Sequence, residues 1–215
     1  MSVTQSLPEA PPRAAAVRRA AWLNAVTIGW NAVEGVVAVA AGLAAGSVSL
    51  TGFGLDSGVE VSTALVLTWR LTQERRGGCM TGYDERATRL VAITFAALAL
   101  YVGLESARRL LAGDQPDGSV VGIVLACLSL LAMPLLARAK GRLATLLGSQ
   151  AAASEARQTQ LCALMSAVLL AGLGLNAALG WWWADPVAGL GIAGLAAAEG
   201  VRAWRAERLA DTCCG

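Results

Sequence analysis

GSVVGIVLACLSLLAMPLLA, running from Gly118 to Ala137, carries no charge from end to end. As an α-helix it rises about 1.5 Å per residue, enough to cross a hydrocarbon core of about 30 Å. The same reading extends outward in both directions. Apolar segments lie before it at 20–45, 47–71 and 88–111, and after it at 145–179 and 185–204. Composition agrees, since 56% of the 215 residues are hydrophobic and 15% charged, against about a quarter charged in a soluble domain. The expectation is an all-α, six-span transmembrane helix bundle. Residues 1–19 read as a cytosolic N-terminal tail and not a signal peptide, because the apolar stretch that follows is too long and leads straight into a second span. Residues 20–205 form the transmembrane domain, and 206–215 a short cytosolic tail carrying Cys213 and Cys214.

Basic residues set the orientation. Arg13, Arg18 and Arg19 precede the first span, and Arg70, Arg75, Arg76, Arg86 and Arg89 flank the link between the second and third. Arg138, Lys140, Arg142 and Arg157 lie between or just inside the fourth and fifth, and Arg202, Arg205 and Arg208 end the sixth. Only Arg108 and Arg109 fall on the other side of a six-span chain. Both termini are therefore expected in the cytoplasm. The opposite side has short links at Ala45–Ser47, Gly113–Asp117 and Trp181–Ala184, where three adjacent Trp suit an interfacial belt. Asp185 and Pro186 then read as N-cap and first helical position of the sixth span.

Asp56 and Glu60 break the apolar pattern, one helical turn apart in Gly52-Phe53-Gly54-Leu55-Asp56-Ser57-Gly58-Val59-Glu60. A charged side chain at the bilayer centre costs at least about 2.5–3.5 kcal/mol, which makes an ion pathway the default reading. The spacing i, i+4 places both on one face, able to converge on one cation. Gly42-xxx-Gly46 and Gly54-xxx-Gly58 are small-xxx-small pairs that allow close helix approach, the second bracketing Asp56. In the fifth span Glu155, Gln158 and Cys162 share a face at i, i+3, i+7, and all three side chains can ligate metal. Glu34, in Trp30-Asn31-Ala32-Val33-Glu34 of the first span, is a further intramembrane acid; with Asn31 it is a candidate proton relay or outer partner of the site. Glu105 with Arg108 and Arg109, and Glu199 with Arg202, have the spacing of helix-end ion pairs.

These stretches resemble the cation diffusion facilitator family, six-span exporters of zinc and similar divalent metals coupled to protons. Gly46-Ser47-Val48-Ser49-Leu50 followed by Asp56-Ser57-Gly58-Val59-Glu60 is similar to the family's second span, Leu104–Leu110 to its third-span ending, and Trp183–Ala188 running on to Glu199-Gly200 to its sixth. The family's fifth-span His-xxx-Asp falls here on Gln158 and Cys162, so the spacing survives while both ligands change. Glu155 lies where members often carry another acid. Gly-Phe-Gly-x-Asp-Ser-x-x-Glu with Gln-Thr-x-x-Cys also resembles a truncated bacterial branch that lacks the cytoplasmic C-terminal domain. The resemblance implies a transporter of the bacterial inner membrane that exports zinc or cadmium as substrate in exchange for protons, with no permanently bound cofactor. The implied metal ligands are Asp56, Glu60, Gln158, Cys162 and Glu155. Any homodimer is expected to form through the membrane helices.

Other classes fit less well. A net charge of +2 without a basic stripe argues against nucleic acid. Five scattered Cys (Cys79, Cys127, Cys162, Cys213, Cys214) do not form a disulfide framework. The chain has no His, and no hydrolase motif or phosphate loop, so an enzyme is the least expected class. A non-transporting metal-binding scaffold, and an exporter of organic cations using Glu34 beside Trp30, stand as alternatives. For Cys162 the competing reading is a small buried hydrophobe. Clustered acids repel, so a proton is expected to be held when metal is absent and released when metal binds. Reporters fused before Arg18 and after Cys214 are expected to report cytoplasm, and one between Asp114 and Gly118 the far side. Termini on opposite sides would require an odd number of spans.

Overall fold

The computed structural model describes residues 13–75, 81–147 and 150–211. The described residues form six helices and no strand: α1 (Arg13–Ala45), α2 (Val48–Arg75), α3 (Thr81–Ala112), α4 (Val120–Leu147), α5 (Gln150–Leu179) and α6 (Ala184–Asp211). Helices outrun the apolar segments at several ends. Arg13-Ala14-Ala15-Ala16 are strong helix formers, so α1 begins inside the stretch that reads as a tail, and α6 likewise continues past Arg205. Cys79, Cys213 and Cys214 lie outside the described residues.

Helices α1, α3, α4 and α5 are long and apolar enough to cross a membrane; α2 and α6 are less apolar. Packing accounts for α2, which touches α1, α3, α5 and α6. A helix with neighbours on so many sides meets protein where a peripheral span meets lipid. Outside the bundle stand large apolar side chains such as Leu104, Val120, Leu131 and Leu135, while Asn31, Glu34, Ser57 and Asp56 are buried within it. That distribution inverts the soluble pattern and belongs to a bundle solvated by lipid. Trp181 and Trp183 stack at 5.1 Å in the exposed α5–α6 link.

The α1–α2 hairpin is fixed at its turn. Gly46 adopts φ +63°, Ser47 N–H bonds Gly42 O at 2.9 Å and Gly46 N–H reaches Leu43 O at 3.4 Å. That is a glycine-terminated helix end with its last carbonyls satisfied. Arg109 of α3 also donates to Gly46 O. Gly42 then lies against α2 so closely that a Cβ there would come within 2.7 Å of Thr51 N. The expected ion pairs form, Glu105 with Arg108 at 2.7 Å and Arg109 at 3.0 Å, and Glu199 with Arg202 at 3.3 Å.

Asp185 corrects the sequence reading. Its carboxylate does not cap its own helix; it accepts from Val48 N–H at 3.0 Å, from Ser47 Oγ at 2.5 Å, and from Ser49 Oγ. The electropositive N-terminus of α2, with two hydroxyls beside it, is the better partner for a buried anion, and α2–α6 packing brings it there. Hydrogen bonds to a charged acceptor contribute about 1.5–3 kcal/mol each. Asp185→Ala is therefore expected to lower unfolding free energy in detergent micelles by about 3 kcal/mol or more, with Asp185→Asn losing less because one carbonyl acceptor remains. Unchanged stability in both variants would contradict this tie.

Candidate cation site

Asp56 and Glu60 lie on the inner side of α2, each 3% exposed. Glycine allows the approach that buries them. A Cβ on Gly54 would come within 2.8 Å of Val39 N, and one on Gly35 within 3.1 Å of Gly54 O, so the α1 and α2 backbones nearly touch. A Cβ on the other glycine of the pair, Gly58, would meet open space, and Gly58 borders α1 only through its backbone N, 3.7 Å from a Cβ built on Gly35. The reason is register, since α2 meets α1 through Gly54, Ser57, Glu60 and Ala64, and the Cβ direction of Gly58 points off that line.

A polar stripe on α1 runs down this seam. Asn24, Thr27, Asn31 and Glu34 are all buried at helical spacing. Asn24 Nδ2 donates to Ala64 O at 3.1 Å and Thr68 Oγ1 at 2.6 Å, and Asn31 Nδ2 to Glu60 Oε2 at 2.5 Å. Glu34 accepts from Ser57 Oγ at 3.0 Å, from Trp30 Nε1 at 3.3 Å and from Ser129 Oγ of α4. Three donors from three helices thus hold one carboxylate. They act as fixed dipoles where water is excluded.

The α5 face supplies the other wall. Glu155, Gln158 and Cys162 are all buried, as their common face requires. Cys162 is fully buried, with its thiol near Glu60. Thr63 Oγ1 donates to Gln158 Oε1 at 3.0 Å, while Gln158 Nε2 finds no partner. Glu155 is engaged elsewhere, since its Oε1 accepts from Lys140 Nζ at 2.9 Å, and that ammonium also donates to Thr159 Oγ1 at 3.1 Å. Glu60 lies within electrostatic range of Asp56, Glu155, Lys140 and Glu34. The structure therefore gathers Asp56, Glu60 and Cys162 around one seam, with Gln158 one turn along, Glu155 in an ion pair, and Asn31 against Glu60. Among the described residues no three Cys, Asp or Glu side chains stand together closely enough to hold one metal ion.

A profile of the cation efflux transmembrane domain matches residues 25–208. The chain belongs to the cation efflux family. It is an integral membrane transporter of cations, and metal cations are its cargo. Comparison with curated proteins returns no match.

Several site-building residues of this cation efflux protein escape a reading of the sequence. Ser57, Thr63 and Ser129 are ordinary small polar residues there, distinguished only by what they touch. Lys140 reads as a cytosolic flanking charge, yet it is 6% exposed within α4. The signal lies in the buried seam Gly122, Ala126, Ser129, Met133, Ala137, Lys140, Ala144, whose steps of three and four continue past Arg138 and carry the lysine inward.

Proposed function

We propose that the chain exports divalent metal cations, zinc or cadmium, in exchange for protons, through a site built on Asp56, Glu60 and Cys162. The observation that carries this reading is a pair of buried carboxylates one turn apart on α2, with the Cys162 thiol of α5 against Glu60. Carboxylate and thiolate together suit zinc or cadmium, whereas an all-oxygen site suits manganese or magnesium. Both ligand types bind metal only when deprotonated, so metal entry releases protons and returning protons release metal. With no His in the chain, the exchanged protons reside on Asp56, Glu60, Cys162 or Glu34. Gln158 contributes its amide oxygen once Thr63 is displaced, and Glu155 joins only when its ion pair with Lys140 opens. The protein would work in the bacterial cytoplasmic membrane with both termini inside, and any dimer would form through the spans. Trp30 donates to Glu34, occupying the carboxylate on which an exporter of organic cations would depend.

Cys162 tests the metal. Cys162→Asp in membrane vesicles is expected to weaken zinc and cadmium uptake at least about tenfold relative to manganese, since it replaces a soft ligand by oxygen. Cys162→Ser is expected to lose zinc without gaining manganese. Identical selectivity in the parent and both variants would leave Cys162 a packing residue.

A further inference from the structure

Two buried amides of the site differ in which atom is idle. Gln158 has its oxygen engaged by Thr63 and its Nε2 unpartnered; Asn31 has its Nδ2 engaged by Glu60 and its Oδ1 unpartnered. Asn31 is 1% exposed. A buried carbonyl oxygen without a donor is destabilising and calls for an explanation. Holding α1 against α2 does not supply one, because the Nδ2 bond already does so. An amide oxygen beside a carboxylate is instead what a cation needs. As placed, Asp56, Glu60 and Cys162 do not by themselves form a group close enough to hold one ion, which leaves room for a neutral oxygen ligand beside Glu60. Amide oxygens are common ligands of divalent cations.

We propose that Asn31 of α1 is a ligand of the transported cation through Oδ1, making the site a three-helix one with Asp56 and Glu60 on α2 and Cys162 on α5. This rests on the reading of Asp56 and Glu60 as cation carboxylates. The side chain serves two states. With the site empty, its N–H donor faces Glu60 in the place a cation would take. With a cation on Glu60, rotation about the broad terminal amide torsion turns Oδ1 toward the metal and Nδ2 away. Glu60 thus keeps an electropositive partner throughout, and Oδ1 is satisfied only in the loaded state. Asn31 is then a specificity-determining residue, since its neutral oxygen draws the site toward harder cations while Cys162 draws it toward softer ones.

Asn24 provides a built-in control. It lies two turns away on the same face, also ties α1 to α2 through Nδ2, also has an idle Oδ1, but bonds no carboxylate. The experiment is calorimetric titration of the full chain in detergent with cadmium, and with manganese as competitor, for Asn31→Leu, Asn31→Asp, Asn24→Leu and Glu60→Gln. Asn31→Leu is expected to weaken cadmium binding about tenfold or more. Asn31→Asp, which keeps the shape and adds an anionic oxygen, is expected to retain cadmium and to improve manganese competition about tenfold. Asn24→Leu is expected to bind within about twofold of the parent, and Glu60→Gln to lose binding. Parental affinity and parental manganese competition in both Asn31 variants, with binding lost in Glu60→Gln, would overturn the assignment and leave the carboxylate site standing. Equal weakening by Asn24→Leu would overturn it in favour of a purely structural bond. Parental binding by Glu60→Gln would remove the carboxylate site and Asn31 with it. If Asn31→Leu does not fold, Asn31→Asp decides by its manganese competition.

Discussion

Charge held away from water is the constraint on which the rest of this molecule depends. Glu34, Asp56 and Glu60 are buried together between α1, α2 and their neighbours, and among the described residues Lys140 is the cation within electrostatic range of Glu60. A bare carboxylate in such a place costs several kcal/mol, and a buried pair recovers that cost only with well-placed partners. The bundle meets the demand unevenly. Glu34 collects three neutral donors and Glu155 the ammonium, while Glu60 has an amide donor and a thiol. Carboxylates outnumber the cation beside them. On the proposed mechanism a divalent ion or protons would fill that deficit, and transport would exchange one filling for the other.

The same bonds divide the bundle into stiffer and looser parts. Gly42 and Gly54 bring α1 and α2 into backbone contact, and Asn24, Asn31 and Glu34 stitch their length. Lys140 and Glu155 clamp α4 to α5. Between the two pairs, Ser129 of α4 bonds Glu34 of α1, Thr63 of α2 bonds Gln158 of α5, and the Cys162 thiol of α5 lies near Glu60 of α2. Each of these contacts includes a residue of the candidate site. Metal arriving at Glu60 and Cys162 would therefore rewrite the contact between the two pairs directly, which is the coupling of cargo to helix movement that alternating access requires.

Much of this was legible in the sequence, for reasons that can be named. Uncharged runs such as Gly118–Ala137 announce helices by length alone, and the three short links sit where the structure ends α1, α3 and α5 in positive-φ glycines, Gly46, Gly113 and Gly180. Asp56 and Glu60 stood out because a charge in an apolar run is rare and costly. Partners distant in sequence did not. Asp185 sits beside a proline at a helix start, so local rules assign it to its own helix, and only tertiary packing gives it to Ser47, Val48 and Ser49. Lys140 lies between Arg138 and Arg142, so its neighbours disguise a buried lysine as a flanking charge. Asn31 was visible as a polar residue in a span, but which of its two amide atoms is satisfied depends on where Glu60 falls, and that is set by α1–α2 register.

The most direct measurement is metal flux by Asp56→Asn protein in proteoliposomes, at insertion matched to the parent. The amide keeps the size and shape of the side chain and removes the charge that a cation requires. Loss of metal-dependent flux with normal insertion is the result expected of a cation site on α2. Flux near the parental rate would make the buried carboxylates a structural cluster and place the transport pathway elsewhere.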